Sequence, residues 1–103
     1  MDNCTFCKII DGKIPANFVY QDSDLVVFPS IHPLAKVHLL VVPKQHIESF
    51  LDLQEGHAKL LTKIIKVIQQ LVKDKNLKTA YRVVLNGGIH QEVPHLHFHL
   101  LAD

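Results

Sequence analysis

Within the last eleven residues of the chain, VPHLHFHLLAD, three histidines are separated from one another by single apolar residues. These histidines are His95, His97 and His99. In an extended strand, side chains two residues apart point to the same face of the sheet. The pattern therefore predicts a strand with three imidazoles in a row on one face, while the apolar residues between them turn into a core. Such a row favours a shared small ligand over a polar edge carrying scattered histidines.

Length and charge narrow the range of functions. A chain of 103 residues is long enough for one small domain, and we expect residues 1–103 to form a single one. The formal net charge of +1 gives no electrostatic case for a nucleic-acid or membrane partner. The first residues lack both a basic start and an apolar stretch, so we expect no signal peptide and a cytoplasmic protein.

The hydrophobic pattern predicts five strands and two helices. These elements are a short helix in TFCKIIDGKIP ended by Gly12, two hairpin strands in NFVYQDSDLVVFPS, a central strand in KVHLLVVPK, a long amphipathic helix from about Leu53 to Leu77, a strand in AYRVVLNGG and a strand in PHLHFHLLA. This order, with mostly short links, predicts an α+β domain. We expect a five-stranded antiparallel sheet with one long and one short helix on one side, the central strand being covered on one face.

Imidazole chemistry allows two uses of the histidine row. Because the ordinary pKa of histidine is about 6.5, a neutral ring can act as a nucleophile or carry a proton near pH 7. A nucleophilic ring needs one free nitrogen and one nitrogen held as a donor. His97 is best placed for this, since it has an imidazole on both sides. Imidazole is also a common metal ligand, and the spacing alone does not decide between the two uses.

Four blocks of the sequence resemble the histidine triad (HIT) superfamily. His-Leu-His-Phe-His-Leu-Leu matches its signature, in which histidines alternate with apolar residues. CTFCKIIDGKIPANFVYQDSDLVVFPSI resembles its N-terminal segment, VHLLVVPKQHI its central strand, and YRVVLNGGIHQEV the strand and loop before the triad. Because the blocks occur in the family's order and cover nearly the whole chain, the chain is identified as a small, bacterial-type member with the HIT-like fold.

The resemblance implies nucleotide chemistry. Family members are hydrolases or transferases that act at the α-phosphorus of a nucleoside phosphate derivative through a covalent nucleotidyl-histidine. Matched by position, His97 is the nucleophile, with its second nitrogen held by a backbone carbonyl, that of His95. His99 stabilises charge and helps the leaving group, and His38 on the neighbouring strand supports the site. The substrate expected is an adenosine phosphoramidate or a dinucleoside polyphosphate.

Four further positions bear on substrate recognition through the same resemblance. Asn86 and Gln91 match residues that contact the phosphate. Ser30 stands where the family commonly has an aspartate that binds the ribose hydroxyls. Serine lacks the charged carboxylate that can bind both hydroxyls in a bidentate manner. Glu92 follows Gln91 where serine or threonine is frequent, and its charge would repel phosphate unless turned away. These departures leave the base, the leaving group and the strength of ribose binding open.

The Cys4-Thr-Phe-Cys7 pair is a C-x-x-C motif with several uses. Only three residues precede it, so the strand that introduces a thioredoxin-like redox motif is missing. A zinc site and a pair of buried thiols both remain open. The resemblance implies a structural zinc, because some bacterial histidine triad proteins complete such a pair with two histidines. The matching positions are His46 and His95.

Two alternatives and one assembly state complete the expectations. A non-catalytic nucleotide-binding or interaction module would keep the same pocket without turnover. A metal-only protein would use the triad histidines themselves as ligands. The resemblance also implies a homodimer, formed through the long helix and the strand after it, roughly Leu53 to Asn86.

Overall fold

The computed structural model describes residues 3–103 and contains one antiparallel sheet in the order β1–β2–β3–β5–β4. The strands are β1 (Tyr20–Gln21), β2 (Leu25–Pro29), β3 (Val37–Pro43), β4 (Arg82–Val84) and β5 (Phe98–Ala102). One short helix, α1 (Thr5–Ile10), and one long helix, α2 (Ala58–Asp74), pack on this sheet. The α+β class and the five-stranded antiparallel sheet with one long and one short helix are therefore confirmed.

The two helices lie on opposite faces of the sheet, so the expectation that both lie on one side is wrong. Leu39 and Val41 of β3 share a buried cluster with α2. Leu40 and Val42 share another with Phe6 of α1. Because β3 buries apolar side chains on both of its faces, each face requires a cover. The prediction that the central strand β3 is covered on one face only is likewise wrong.

The long helix is shorter than its apolar pattern predicts. It begins at Ala58, because Leu53 and Gln54 are extended and Glu55–His57 form a 3-10 turn, which a reciprocal capping box between Gln54 and His57 starts. At its other end Asn76 has φ = 58°, and the amide of Leu77 donates to the carbonyl of Val72. This is a Schellman motif, which ends the helix before Leu77.

The short helix ends as predicted. Gly12 has φ = 79°, and the Lys13 amide donates to the Lys8 carbonyl at 2.8 Å, so α1 also closes with a Schellman motif. None of the helices within residues 3–103 has the length and apolarity needed to cross a membrane.

The histidine strand is also shorter than predicted, since β5 starts at Phe98 and the chain before it leaves the ladder. Val41 is paired with Phe98, so continued pairing would set Leu96 opposite Pro43. Proline has no amide proton to donate to the ladder. The Leu96 amide donates instead to the carbonyl of Ile47 at 2.6 Å.

Candidate functional site

Three histidines meet on the face of the sheet that α1 covers. His99 of β5 pairs with Leu40 of β3, which places His38, two residues from Leu40, diagonally beside His99 on that face. The ring centroids of His38 and His99 lie 5.1 Å apart, and those of His97 and His99 lie 4.9 Å apart. The structure therefore brings the three predicted catalytic histidines together.

Hydrogen bonds determine which nitrogen of His38 and of His99 carries the proton. The Leu34 amide donates to Nδ1 of His38 at 3.1 Å, so a neutral His38 carries its proton on Nε2. That Nε2 lies 2.8 Å from Nδ1 of His99, which must then accept. The remaining nitrogen of His99, Nε2, is left protonated and can donate to a ligand.

The free nitrogen of His97 is a hydrogen-bond acceptor, whereas that of His99 is a donor. Its Nδ1 lies 2.8 Å from the carbonyl oxygen of His95, and a carbonyl only accepts, so Nδ1 carries the proton. Its Nε2 therefore presents a lone pair. The hydrogen bond to the His95 carbonyl is the one that the resemblance implies. A lone pair on His97 and an N–H on His99 thus lie on neighbouring rings.

Burial keeps these rings neutral at physiological pH. It lowers the pKa of His97 and of His38, and for His38 the charge of His97 adds to the effect. Burial, followed by the proximity of His97 and His38, lowers the pKa of His99 to about 4. The nearby carboxylate of Glu92 acts in the opposite direction and raises the pKa of His97. Neutral imidazoles are what a nitrogen nucleophile and a neutral hydrogen-bond donor require.

The predicted substrate-binding residues are placed differently from one another. Nδ2 of Asn86 lies 3.5 Å from Nε2 of His99, beside the catalytic histidines. Both nitrogens carry protons in this tautomer, so this contact is one of proximity and not a hydrogen bond. The Gln91 amide instead donates to the carbonyls of Glu48 and Val93, at 2.7 and 3.0 Å. Ser30 accepts from the His32 amide at 3.2 Å, in a turn just after β2. Asn86 is thus adjacent to the reacting groups, while Gln91 and Ser30 are engaged in holding loops.

A second cluster lies beside the triad. Cys4, Cys7, His46 and His95 each offer a ligand atom, and these four atoms lie within 4.8 Å of one another. His95 Nδ1 is 3.3 Å from Sγ of Cys4, and His46 Nδ1 is 3.2 Å from Sγ of Cys7. With zinc–sulfur bonds of about 2.3 Å and zinc–nitrogen bonds of about 2.0 Å, tetrahedral ligands would be about 3.6 Å apart. The cluster is therefore compatible with one metal ion.

The orientation of His95 suits a metal ligand. Its Nε2 lies 2.7 Å from the carbonyl oxygen of Pro43, so Nε2 carries the proton and Nδ1 directs a lone pair at the sulfurs. Metal-binding histidines usually donate their other nitrogen to a carbonyl or carboxylate in this way. The row of three histidines is therefore divided: His95 faces the cysteines, while His97 and His99 face each other.

Sequence reasoning missed three groups that shape the site. The Leu34 amide and the Pro43 carbonyl select the tautomers of His38 and His95, and backbone groups leave no trace in a side-chain pattern. Phe6 lies between the two clusters, with its ring against both His95 and His97. Its position inside the C-x-x-C motif was a signal that could have drawn attention to it.

Comparisons with known proteins agree with this geometry. A family model described as "Scavenger mRNA decapping enzyme C-term binding" matches residues 3–103. Protein HitA of Neisseria gonorrhoeae is 40% identical over 104 residues, covering 99% of this chain and 97% of HitA.

Solved structures of similar proteins give the same result. A HIT family hydrolase from Legionella pneumophila Philadelphia 1 superposes with a TM-score of 0.94 at 40% identity, over 97% of this chain and 92% of that one. A histidine triad nucleotide-binding protein from Candida albicans has a TM-score of 0.84 at 34% identity, over 95% of this chain and 73% of that one.

The fold is that of the HIT family hydrolase structures from Legionella pneumophila and Clostridium thermocellum, at a TM-score of 0.94 for each. The chain belongs to the histidine triad (HIT) family, as its sequence motifs indicate.

Proposed function

We propose that this protein transfers a nucleotidyl group from a nucleoside phosphate derivative to His97 and then to water. The observation that carries the proposal is the complementary pair of nitrogens: the lone pair on Nε2 of His97 and the proton on Nε2 of His99, on rings 4.9 Å apart. A phosphoryl group bound between them meets a nucleophile and a hydrogen-bond donor at once. Both groups are oriented before the substrate arrives, which lowers the cost of reaching the transition state.

The reaction has two balanced steps. In the first, the Nε2 lone pair of His97 attacks the α-phosphorus and the bond to the leaving group breaks. The leaving group departs with the electron pair, stabilised by the hydrogen bond from Nε2–H of His99, and takes a proton from solvent. The positive charge that develops on the His97 ring is stabilised by the hydrogen bond from Nδ1 to the His95 carbonyl. In the second step water attacks the same phosphorus, the phosphorus–nitrogen bond returns its electrons to His97, and the proton of water is released to solvent.

His38 has a supporting role in this scheme. Its Nε2–H bond to Nδ1 of His99, at 2.8 Å, keeps the His99 proton on the nitrogen that faces the substrate. Asn86, 3.5 Å from that nitrogen, is in position to contact the phosphate. The amide of Gln91 already spans two backbone carbonyls, so its contribution to phosphate binding would come through the shape of the loop.

The substrate class proposed is an adenosine phosphoramidate or a dinucleoside polyphosphate. The name of the Candida albicans neighbour, a nucleotide-binding protein, supports a nucleotide ligand. Between the two classes, Glu92 favours the phosphoramidate. Its carboxylate acts on His97 and would repel the several negative charges of a polyphosphate leaving group.

A panel of adenylate derivatives tests the proposal. We expect turnover of at least one of them by the wild-type protein, and loss of all turnover in His97→Ala with nucleotide binding retained. Removal of an exposed histidine, in His32→Ala, is the matched control and should leave the rate unchanged. Turnover by His97→Ala at a substantial fraction of the wild-type rate would contradict the assignment of the nucleophile.

We further propose that Cys4, Cys7, His46 and His95 hold a structural zinc ion. Two thiols and two imidazoles are ligands that zinc prefers, and both cysteines are free thiols. Reduced cysteines also fit the cytoplasmic location that we expect. Elemental analysis of protein purified without a chelator should find close to one zinc ion per chain.

A homodimer through α2 and β4 is the assembly that we propose. Ile65 of α2 is 53% exposed, Val83 of β4 is 46% exposed, and Tyr81 beside β4 is 49% exposed. All three line a cleft of about 400 Å³ between helix and strand. Light scattering at micromolar concentration should give twice the chain mass, and a monomer mass would contradict the proposal.

A non-catalytic nucleotide-binding module is the second candidate. The observation that favours it is the engagement of Gln91 and Ser30 in loop hydrogen bonds, which leaves fewer groups for substrate. This candidate predicts that nucleotides bind to the wild-type protein without any turnover across the panel.

A further inference from the structure

Phe6 connects the metal-type cluster to the histidine pair. Its side chain is 6% exposed and comes from the middle of the C-x-x-C motif, between Cys4 and Cys7. The ring stands edge-to-face against His97, with centroids 4.9 Å apart and planes at 89°. The same ring contacts His95, at 6.0 Å and 71°. One aromatic side chain thus touches a residue of each cluster.

The orientation of His97 needs more than its hydrogen bond. The bond from Nδ1 to the His95 carbonyl fixes one atom, and the ring can still tilt about that contact. Terminal torsions of histidine are broad, so packing has to select the ring plane. Perpendicular aromatic contacts have a preferred geometry, and Phe6 supplies one. The direction of the Nε2 lone pair therefore depends on where Phe6 stands.

The position of Phe6 is itself tightly determined. On one side its ring packs edge-to-face on Phe28, with centroids 5.6 Å apart. The Cys4 sulfur accepts a hydrogen bond from the Cys7 amide, which caps the start of α1, and it also lies against His95. The Cys7 sulfur lies against His46. Both neighbours of Phe6 in the motif are thus anchored to distant parts of the chain, and α1 has little freedom to shift.

We propose that Phe6 is a positioning residue, which aims the Nε2 lone pair of His97 at the substrate phosphorus. The inference rests on the proposed function, in which His97 is the nucleophile. It explains why a six-residue helix outside the sheet is joined so firmly to the segment that carries the triad. In this arrangement the cluster at Cys4, Cys7, His46 and His95 acts on the reaction through the placement of Phe6.

The test compares Phe6→Leu with Phe28→Leu. Both changes remove an aromatic ring from the same buried cluster, and both side chains are almost equally buried, at 6% and 5% exposure. Phe28 has ring contacts with Phe6 and Phe18 and none with a histidine in the described part of the chain. In Phe28→Leu the contacts of Cys4 with His95 and of Cys7 with His46 still hold α1, so Phe6 keeps its place against His97. The pair therefore separates loss of core packing from loss of the contact with His97.

Two readouts are needed. The first is the nitrogen NMR spectrum of the His97 ring without substrate, which reports the tautomer and the Nδ1 hydrogen bond whether or not the protein is an enzyme. We expect one set of ring signals in the wild type and in Phe28→Leu. In Phe6→Leu we expect averaged or doubled signals, because the ring tilts between several orientations. The second is the single-turnover rate at saturating adenylate substrate, which should fall about tenfold further in Phe6→Leu than in Phe28→Leu, since a misplacement near 1 Å can cost up to about a hundredfold.

Either readout equal in the two variants would overturn the proposal. Unchanged His97 signals would mean that Phe6 does not orient the ring. Changed signals with equal rates would mean that the orientation does not limit the reaction. Failure of the proposed function is recognised separately, because it would appear as no turnover by the wild-type protein or as undiminished turnover in His97→Ala. In either case the NMR comparison alone would decide the role of Phe6.

Discussion

Removal of the proposed zinc ion is the perturbation whose consequences follow most directly from the structure. The four ligand atoms join α1, the segment after β3 and the segment before β5, so one ion connects positions 88 residues apart in the chain. The metal-free protein should still fold, because the cluster under α2 is complete without these residues and Phe6 and Ile9 anchor α1. We therefore expect a folded but less stable apoprotein.

The size of the effect follows from binding linkage. Free zinc at a thousand times its dissociation constant stabilises the folded state by about 4 kcal/mol. For a domain of about 100 residues, each kcal/mol moves the Tm by about 4–8 °C, which gives a drop of about 15–30 °C on removal of the ion. Burial and the neighbouring Cys4 raise the pKa of the Cys7 thiol to about 11 in the metal-free protein. That thiol therefore stays protonated at pH 7, so no charge on Cys7 enlarges the loss.

Thermal melts with and without a chelator measure this drop. The double variant Cys4→Ser/Cys7→Ser should melt near the chelated wild type and show no response to the chelator. Lys8→Ala, in the same helix and outside the ligand set, is the matched control and should respond as the wild type does. A wild-type Tm that is unchanged by the chelator, or less than about a tenth of a zinc ion per chain, would refute the reasoning.

Three other predictions concern the histidines. His38→Ala frees the tautomer of His99 and should lower kcat by about 10–100-fold with little change in KM, as steady-state kinetics would show. Because the folded pKa of His99 is about 4 and the unfolded value about 6.5, only the unfolded chain gains a proton as the pH falls between these values, so stability should decline there. Urea unfolding at pH 7 and pH 5 should give a difference of about 1–2 kcal/mol from this partly exposed ring, reduced in His99→Gln. Glu92→Ser should raise kcat/KM for dinucleoside polyphosphates relative to phosphoramidates by about tenfold, and an equal change for both substrates would count against charge repulsion.

The sequence predicted those parts of the fold that depend on local periodicity. Alternation of apolar residues gave the strands, and Gly12 gave the end of α1 correctly. The prediction of which sheet face α1 covers was wrong. A six-residue helix with two buried side chains carries no information about which face it meets. The start of β5 was wrong because the decisive residue, Pro43, lies on the partner strand.

In the candidate site, too, the sequence predicted some features, while others depend on the folded backbone. Family motifs identified His38, His97 and His99, and the structure brings them together. The tautomers could not be predicted, since they depend on the Leu34 amide and on carbonyls that only the folded backbone places. The hydrogen bonds of the Gln91 amide to two carbonyls could not be predicted either, because its loop closes against Glu48, 43 residues earlier in the chain.

Covalent labelling of His97 tests the central claim most directly. The protein would be mixed with an adenosine phosphoramidate, quenched within one turnover at neutral pH in denaturant, and examined by intact mass and peptide fragmentation. We predict a mass increase of one adenylyl group, located on the peptide that contains His97 and absent from His97→Ala. Turnover with no adduct at any time point, or an adduct on another residue, would contradict the account.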